Sequence, residues 1–183
     1  MSGFITYQYF IDKKFKPENL IVVGSNRRAK KIKKFKENNY NLLVIPNGSY
    51  DENLNLFKFS SYLAKKNKKY KFFFKYHPDS PFKFKFKSDY ENLIISEGQL
   101  DILLNICGFA IYSSSSLIIK CSQEGLIPLF YNYSPNEISN VLYRFENIIS
   151  INENFNIEKI IEDVKADNKS ITDFVDKYYS KLI

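Results

Sequence analysis

Tryptophan is absent from this chain of 183 residues, histidine occurs once, at His77, and cysteine twice, at Cys107 and Cys121. One histidine and two cysteines cannot supply the usual four ligands of a structural zinc site, and two cysteines are too few for a disulfide framework. Both lie in apolar surroundings, where reduced, buried thiols are expected. Arginine is nearly as scarce, with only Arg27, Arg28 and Arg144 among 27 basic residues. The planar fork that reads phosphate or base edges is therefore almost missing, and the net charge of +7 does not point to a dedicated nucleic-acid binder. No apolar run approaches the ~18–20 residues of a membrane span, and the amino terminus lacks the basic region of a signal peptide. The expectation is a cytoplasmic chain, with peripheral contact at the inner face of the membrane as a further option. Missing too are a glycine-rich dinucleotide fingerprint and a phosphate-binding loop ending in Gly-Lys-Ser or Gly-Lys-Thr, which counts against kinases, ATPases and classical dehydrogenases.

What is present is an ordinary globular hydrophobic fraction, 44%, in a length that suits one domain with a real core. The excess of Phe, Tyr, Lys, Asn and Ile is of the kind an AT-rich genome produces. Neither an internal repeat nor a dividing linker appears, so residues 1–183 read as a single unit. Short apolar runs at 20–24, 41–46, 70–76, 91–95, 109–112, 127–131 and 147–151 read as strands. Between and after them, helices are expected at 27–38, from Asp51 as N-cap through Leu54, Phe57, Tyr62 and Leu63, at 99–106, from the serine run to Gln123, at 156–165 and at 171–182. Strands alternating with helices imply a three-layer α/β fold, a Rossmann-like parallel sheet with helices on both faces.

Such sheets bind ligands outside the carboxyl ends of their strands, and several residues fall there. Lys-Tyr-His-Pro (Lys75 to Pro78) closes one strand; Pro78 restrains His77, whose imidazole can donate to a phosphate oxygen or carry a proton, or else simply pack in a loop. Ser113, Ser114, Ser115 and Ser116 stand at a strand-to-helix turn, where amides and hydroxyls suit an anion, although one serine as a cap explains the turn without a ligand. Glu97-Gly98 and Pro46-Asn47-Gly48-Ser49 follow two further strands and face the same side, each also readable as a plain turn. Together these residues point to a phosphate-bearing ligand, a nucleotide. Two basic stretches remain. Arg27 to Lys36 surrounds a narrow apolar stripe, the pattern of a solvated helix or of a membrane-surface contact. Phe82 to Lys87 alternates Phe with Lys, the pattern of an edge strand with lysine gatekeepers or of a contact with an anionic lipid head group or polyanionic acceptor.

The order of Val-Ile-Pro-Asn-Gly, the acidic helix start Asp51-Glu52, Phe-Phe-Lys-Tyr-His-Pro, Ser-Glu-Gly-Gln-Leu, Ile-Tyr-Ser-Ser-Ser-Ser and Ile-Pro-Leu-Phe-Tyr resembles the carboxyl-terminal, donor-binding half of GT-B glycosyltransferases. It is most similar to those of surface-carbohydrate biosynthesis, such as bacterial polysialyltransferases and, more distantly, polyglycerolphosphate transferases, over about residues 20–151. The resemblance implies a nucleotide-sugar donor, CMP-, CDP- or UDP-linked, used as substrate with no other cofactor and no metal. By it, His77 contacts the donor phosphate and stabilises the leaving nucleotide, with Pro78 holding it. Ser113 to Ser116 bind phosphate, Glu97 and Gly98 lie by the base or ribose, and Asn47 and Gly48 add backbone amides.

Two departures accompany it. Many members place an acidic residue, which holds the ribose, seven positions before the proline of the next strand; here that position is Cys121, beside Lys120. No stretch of these residues corresponds to the acceptor-binding amino-terminal half, which leaves three options: pairing with a separate acceptor-domain chain, a piece of a split gene, or a remnant that binds nucleotide without turnover. Two rival readings are a non-catalytic nucleotide-binding or interaction module and a fragment of another Rossmann-like enzyme, such as a sugar-nucleotide epimerase.

Overall fold

A computed structural model of the chain describes residues 4–21, 33, 35, 39–78, 80, 81, 86–133, 140–142, 145 and 147–166. Helix α1 (Phe4–Asp12) comes first, followed by strand β1 (Leu42–Val44), helix α2 (Tyr50–Lys66), strands β2 (Phe72–Phe74) and β3 (Leu93–Ile95), and helix α3 (Leu100–Ile106). Then come β4 (Phe109–Tyr112), α4 (Leu117–Gln123), β5 (Ile127–Tyr131), β6 (Ile149–Ile151) and α5 (Ile157–Ala166). The six strands form one sheet in the order β3-β2-β1-β4-β5-β6, with every neighbouring pair parallel.

Every residue of β1, β2 and β4 is buried, which is why these strands read as unbroken apolar runs: a parallel sheet is covered on both sides. The two-residue period of a strand sorts their side chains. Leu42, Val44, Phe72, Phe74, Phe109 and Ile111 pack on one face with Leu56, Phe59 and Leu63 of α2 and with Ile157 and Ile161 of α5. Leu43, Ile45, Phe73, Ala110 and Tyr112 pack on the other with Leu103 and Leu104 of α3 and with Ile118, Ile119 and Cys121 of α4. The result is a three-layer, Rossmann-like α/β sheet. Among the described residues no helix is long and apolar enough to cross a membrane.

The expected elements between 41 and 166 are present; β4 and β5 have their expected bounds and the other strands are shorter. The cap of α2 differs from expectation: Ser49, not Asp51, is the N-cap, its Oγ accepting from the Glu52 N–H at 3.3 Å. Ser49 and Glu52 stand three residues apart in the Ser-x-x-Glu spacing of a capping box, with Asp51 two positions inside the cap. Helix α1 is an element not anticipated. The expected helix at 171–182 and residues 82–85 of the Phe/Lys alternation lie outside the described residues, as does most of the expected strand at 20–24 and helix at 27–38. Leu20 and Ile21 are in no strand, and Phe35 packs edge-on against Phe109 with ring centroids 5.6 Å apart. Phe86, from the alternating stretch, is stacked on Phe57 at 4.9 Å and lies near-parallel to Tyr76 at 6.2 Å, so it serves the core, while Lys87 is exposed.

This topology fixes where a ligand belongs. From β1 the chain proceeds through α2 toward β2, whereas from β4 it proceeds through α4, on the opposite face, toward β5. Paths that diverge from adjacent strands leave a crevice between the carboxyl ends of β1 and β4.

Candidate functional site

Two turns border that crevice. The first leaves β1 through Ile45 and Pro46. Asn47 Oδ1 then accepts from the Ser49 N–H at 2.7 Å, and Asn53 Nδ2 donates to the carbonyls of Asn47 at 3.0 Å and Ser49 at 2.6 Å. These bonds satisfy a tight turn from strand into helix without a ligand. The second turn, Ser113 to Ser116, leaves β4 and opens α4. Glu52, fully buried in the first turn of α2, joins the two. Its Oε1 accepts from the Asn47 N–H at 2.8 Å and the Ser114 N–H at 3.4 Å, and its Oε2 accepts from the Ser114 hydroxyl. Asn47 Nδ2 also donates to Ser114 Oγ, at 2.5 Å.

In front of this joint lies a cleft of about 590 Å³, lined by Pro46, Lys75, Tyr76, His77, Pro78, Leu100, Ser115, Ser116, Leu117 and Lys120. Its volume lies in the range of small-molecule sites. Lys75, half-buried, donates from Nζ to the Gly98 carbonyl at 2.7 Å. Lys120 pairs with Asp101 at 3.0 Å, an ion pair that water screens because the Asp101 side chain is 80% exposed. His77 is exposed at the rim, its carbonyl accepting from the Ser80 N–H at 3.0 Å. Two lysines and the lone histidine thus border a cleft whose lining, among the described residues, includes no carboxylate. The backbone N–H groups of Ser115 and Ser116 have no acceptor among the described residues. Pro46, Leu100 and Leu117 supply an apolar wall. Donors and cations facing an apolar surface suit a ligand with an anionic end and a flat, weakly polar body. Among the described residues no group of three or more His, Cys, Asp or Glu side chains is placed to hold a metal.

Of the residues singled out from the sequence, His77, Pro78, Ser115 and Ser116 meet in this cleft. Ser113 is fully buried and its Oγ has no partner among the described residues, while the Ser114 hydroxyl donates to Glu52. Asn47 and Gly48 form the neighbouring turn outside the lining. Glu97 is exposed beside the cleft, and Gly98 contributes the carbonyl that holds Lys75. Lys75, Lys120, Leu100, Leu117 and the buried joint at Glu52 are additions from the structure. For Lys75 the signal was its place two residues before His77, and for Glu52 the capping-box spacing from Ser49.

Cys121 faces the core beneath α4 and is fully buried, and burial pushes its thiol well above the usual cysteine range. It has no route to a ligand. Glu124 lies instead in an ion pair with Lys33 at 2.5 Å. Helix α4 therefore presents a cation, Lys120, to the cleft.

No family model matches the chain, and no curated protein matches it. Among solved structures, the crystal structure of TarM is similar at 13% sequence identity and a TM-score of 0.46, over 93% of this chain and 36% of the TarM chain. The chain thus spans little more than a third of that structure's length. A likeness of that size leaves the reading of the site to its own residues.

Proposed function

We propose that the cleft binds the phosphate end of a nucleotide and that the chain is the donor-binding half of a glycosyltransferase using a CMP-, CDP- or UDP-linked sugar in surface polysaccharide or lipopolysaccharide synthesis. The observation that carries this reading is the convergence of Lys75, His77, Lys120, Ser115 and Ser116 on one cleft at the topological switch point. The order of motifs along the chain supports the finer part. Transfer from a nucleotide sugar develops positive charge on the sugar and negative charge on the leaving phosphate. The contribution of this half is then to hold that phosphate with preorganised donors. His77 donates to a phosphate oxygen from the rim. Lys75, restrained by the Gly98 carbonyl, and Lys120, paired with the largely exposed Asp101, supply positive potential. The acceptor, and the base that activates it, belong to a second domain or chain.

A second reading, nucleotide binding without turnover, is favoured by the lack of a carboxylate among the described lining residues. Calorimetric titration with CMP, CDP, UMP, UDP and GDP tests both. Selective binding is expected for at least one, weakened by about tenfold in Lys75→Ala and in His77→Ala, as for loss of one charge-assisted hydrogen bond. Failure of all five nucleotides to bind refutes the proposal. Binding that persists with no sugar transfer when the acceptor half is supplied selects the second reading.

A further inference from the structure

Glu52 is an unusual use of a carboxylate. It has no exposed surface, and among the described residues it has no Lys, Arg or His partner. Burying such a group is costly unless hydrogen bonds replace water. Here the replacements are the Asn47 N–H, the Ser114 N–H and the Ser114 hydroxyl, helped by the positive end of α2, in whose first turn Glu52 sits. A carboxylate can only accept, and each of these three partners donates. An ordinary capping box returns its carboxylate to the cap's own N–H; in this chain that N–H is taken by Asn47 Oδ1, and the carboxylate reaches across the switch point instead.

The serine turn has little else to hold it. Ser116, the N-cap of α4, makes no side-chain cap bond. Ser113 Oγ is unpartnered. Among the described residues, the only side chains bonded to the turn are Asn47 and Glu52, both through Ser114. Ser114 is the residue directly before the pair that lines the cleft.

We propose that Glu52 is a positioning residue. Its buried carboxylate occupies the anion position between the β1 and β4 turns and, through Ser114, sets the Ser115–Ser116 segment so that its amides face the cleft. The ligand phosphate then sits one step outward, against Ser115, Ser116 and the cations, and the Ser114 hydroxyl does not contact it. This inference rests on the nucleotide reading of the same cleft.

Glu52→Ala leaves a cavity at a buried position, so Glu52→Gln and Ser114→Ala, each in the full chain, carry the test. Gln keeps the shape but turns an N–H₂ toward a donor. The nucleotide that binds the unaltered protein and its unphosphorylated nucleoside are both titrated, and urea unfolding records stability separately. Each variant is expected to lose about tenfold in nucleotide affinity, ~1.4 kcal/mol, with nucleoside affinity unchanged. The Glu52→Gln, Ser114→Ala double variant is expected to lose no more than either alone, because one joint is broken in all three. Full nucleotide affinity in both single variants overturns the inference while leaving the nucleotide reading intact. Equal losses for nucleotide and nucleoside, tracking stability, also overturn it, showing a merely structural role. If the unaltered protein binds no nucleotide, the underlying reading fails and the inference with it.

Discussion

Adding one methyl group at Gly108 is expected to destabilise this fold severely. Gly108 is buried at the junction of α3 and β4, and a Cβ built on it would overlap the backbone carbonyl oxygen of Asn39 and stand 3.0 Å from that carbonyl carbon and 3.4 Å from the Phe35 ring. The colliding atoms are backbone, so no side-chain rotation relieves them. Nor is the 39–41 segment free to retreat. The Asn41 carbonyl accepts from the Gly108 and Phe109 N–H groups at 3.0 and 3.3 Å. Asn41 Nδ2 donates to the Ile106 carbonyl at 2.9 Å, and Asn39 Nδ2 to that of Asn105 at 3.3 Å. Overpacking of a tight site costs about 1–3 kcal/mol, and each hydrogen bond broken by the retreat adds ~0.5–1.5 kcal/mol. Gly108→Ala is therefore expected to cost ~2–6 kcal/mol if two such bonds are lost, a large part of a domain's stability. The assay is urea unfolding followed by far-UV circular dichroism, with Gly48→Ala as control. A Cβ at Gly48 meets nothing within 4 Å, so that variant should stay within ~0.5 kcal/mol. A Gly108→Ala loss below ~1 kcal/mol with an unchanged m value would refute the close approach of the two segments.

Phe59 is buried in α2 and stacked on Tyr131 with ring centroids 3.9 Å apart; Phe59→Ala should cost ~3–5 kcal/mol in the same unfolding assay, and a cost below ~1 kcal/mol would disprove the packing of α2 on this face. Burial raises the Cys121 thiol above its ordinary 9.0 and the Tyr112 phenol above its ordinary 10.0. Both groups bind protons more tightly when folded, so the stability they contribute is fully present below those ordinary values and is lost as pH rises from there toward the folded values. The urea midpoint should therefore fall progressively above about pH 9, less steeply in Cys121→Ala; an identical decline in that variant would refute the thiol's share. Cys107 and Cys121 should also resist a thiol reagent at pH 8 until the chain unfolds, because both are buried.

Much of this molecule is legible without coordinates because its strands are buried on both faces. Strand β4 and strand β5 match the expected runs 109–112 and 127–131 residue for residue. The other strands are shorter than their apolar runs, as Tyr76 illustrates: it is buried and apolar yet lies past the last ladder position of β2. The cap of α2 was misplaced by two residues because Asp51 and Ser49 are both good capping types, and only the bond to the Glu52 N–H decides between them. In the serine run, four residues of one type carry one signal, but the backbone points successive side chains in different directions. Ser113 goes to the core, Ser114 to Glu52, and Ser115 and Ser116 to the cleft.

By itself the sequence determined the fold class and the side of the sheet on which chemistry can occur, because hydrophobic period and strand–helix alternation are local properties written directly in residue order. Only the tertiary structure decided which polar residues share a cleft. Lys75, Lys120, His77 and Ser116 are brought together by a strand order, β2-β1-β4, in which β1 stands beside β4 and segments distant in the chain become adjacent. The role of Glu52 was decided there as well, since an acidic residue in the first turn of a helix is ordinary until its carboxylate is seen buried against a turn 62 residues away.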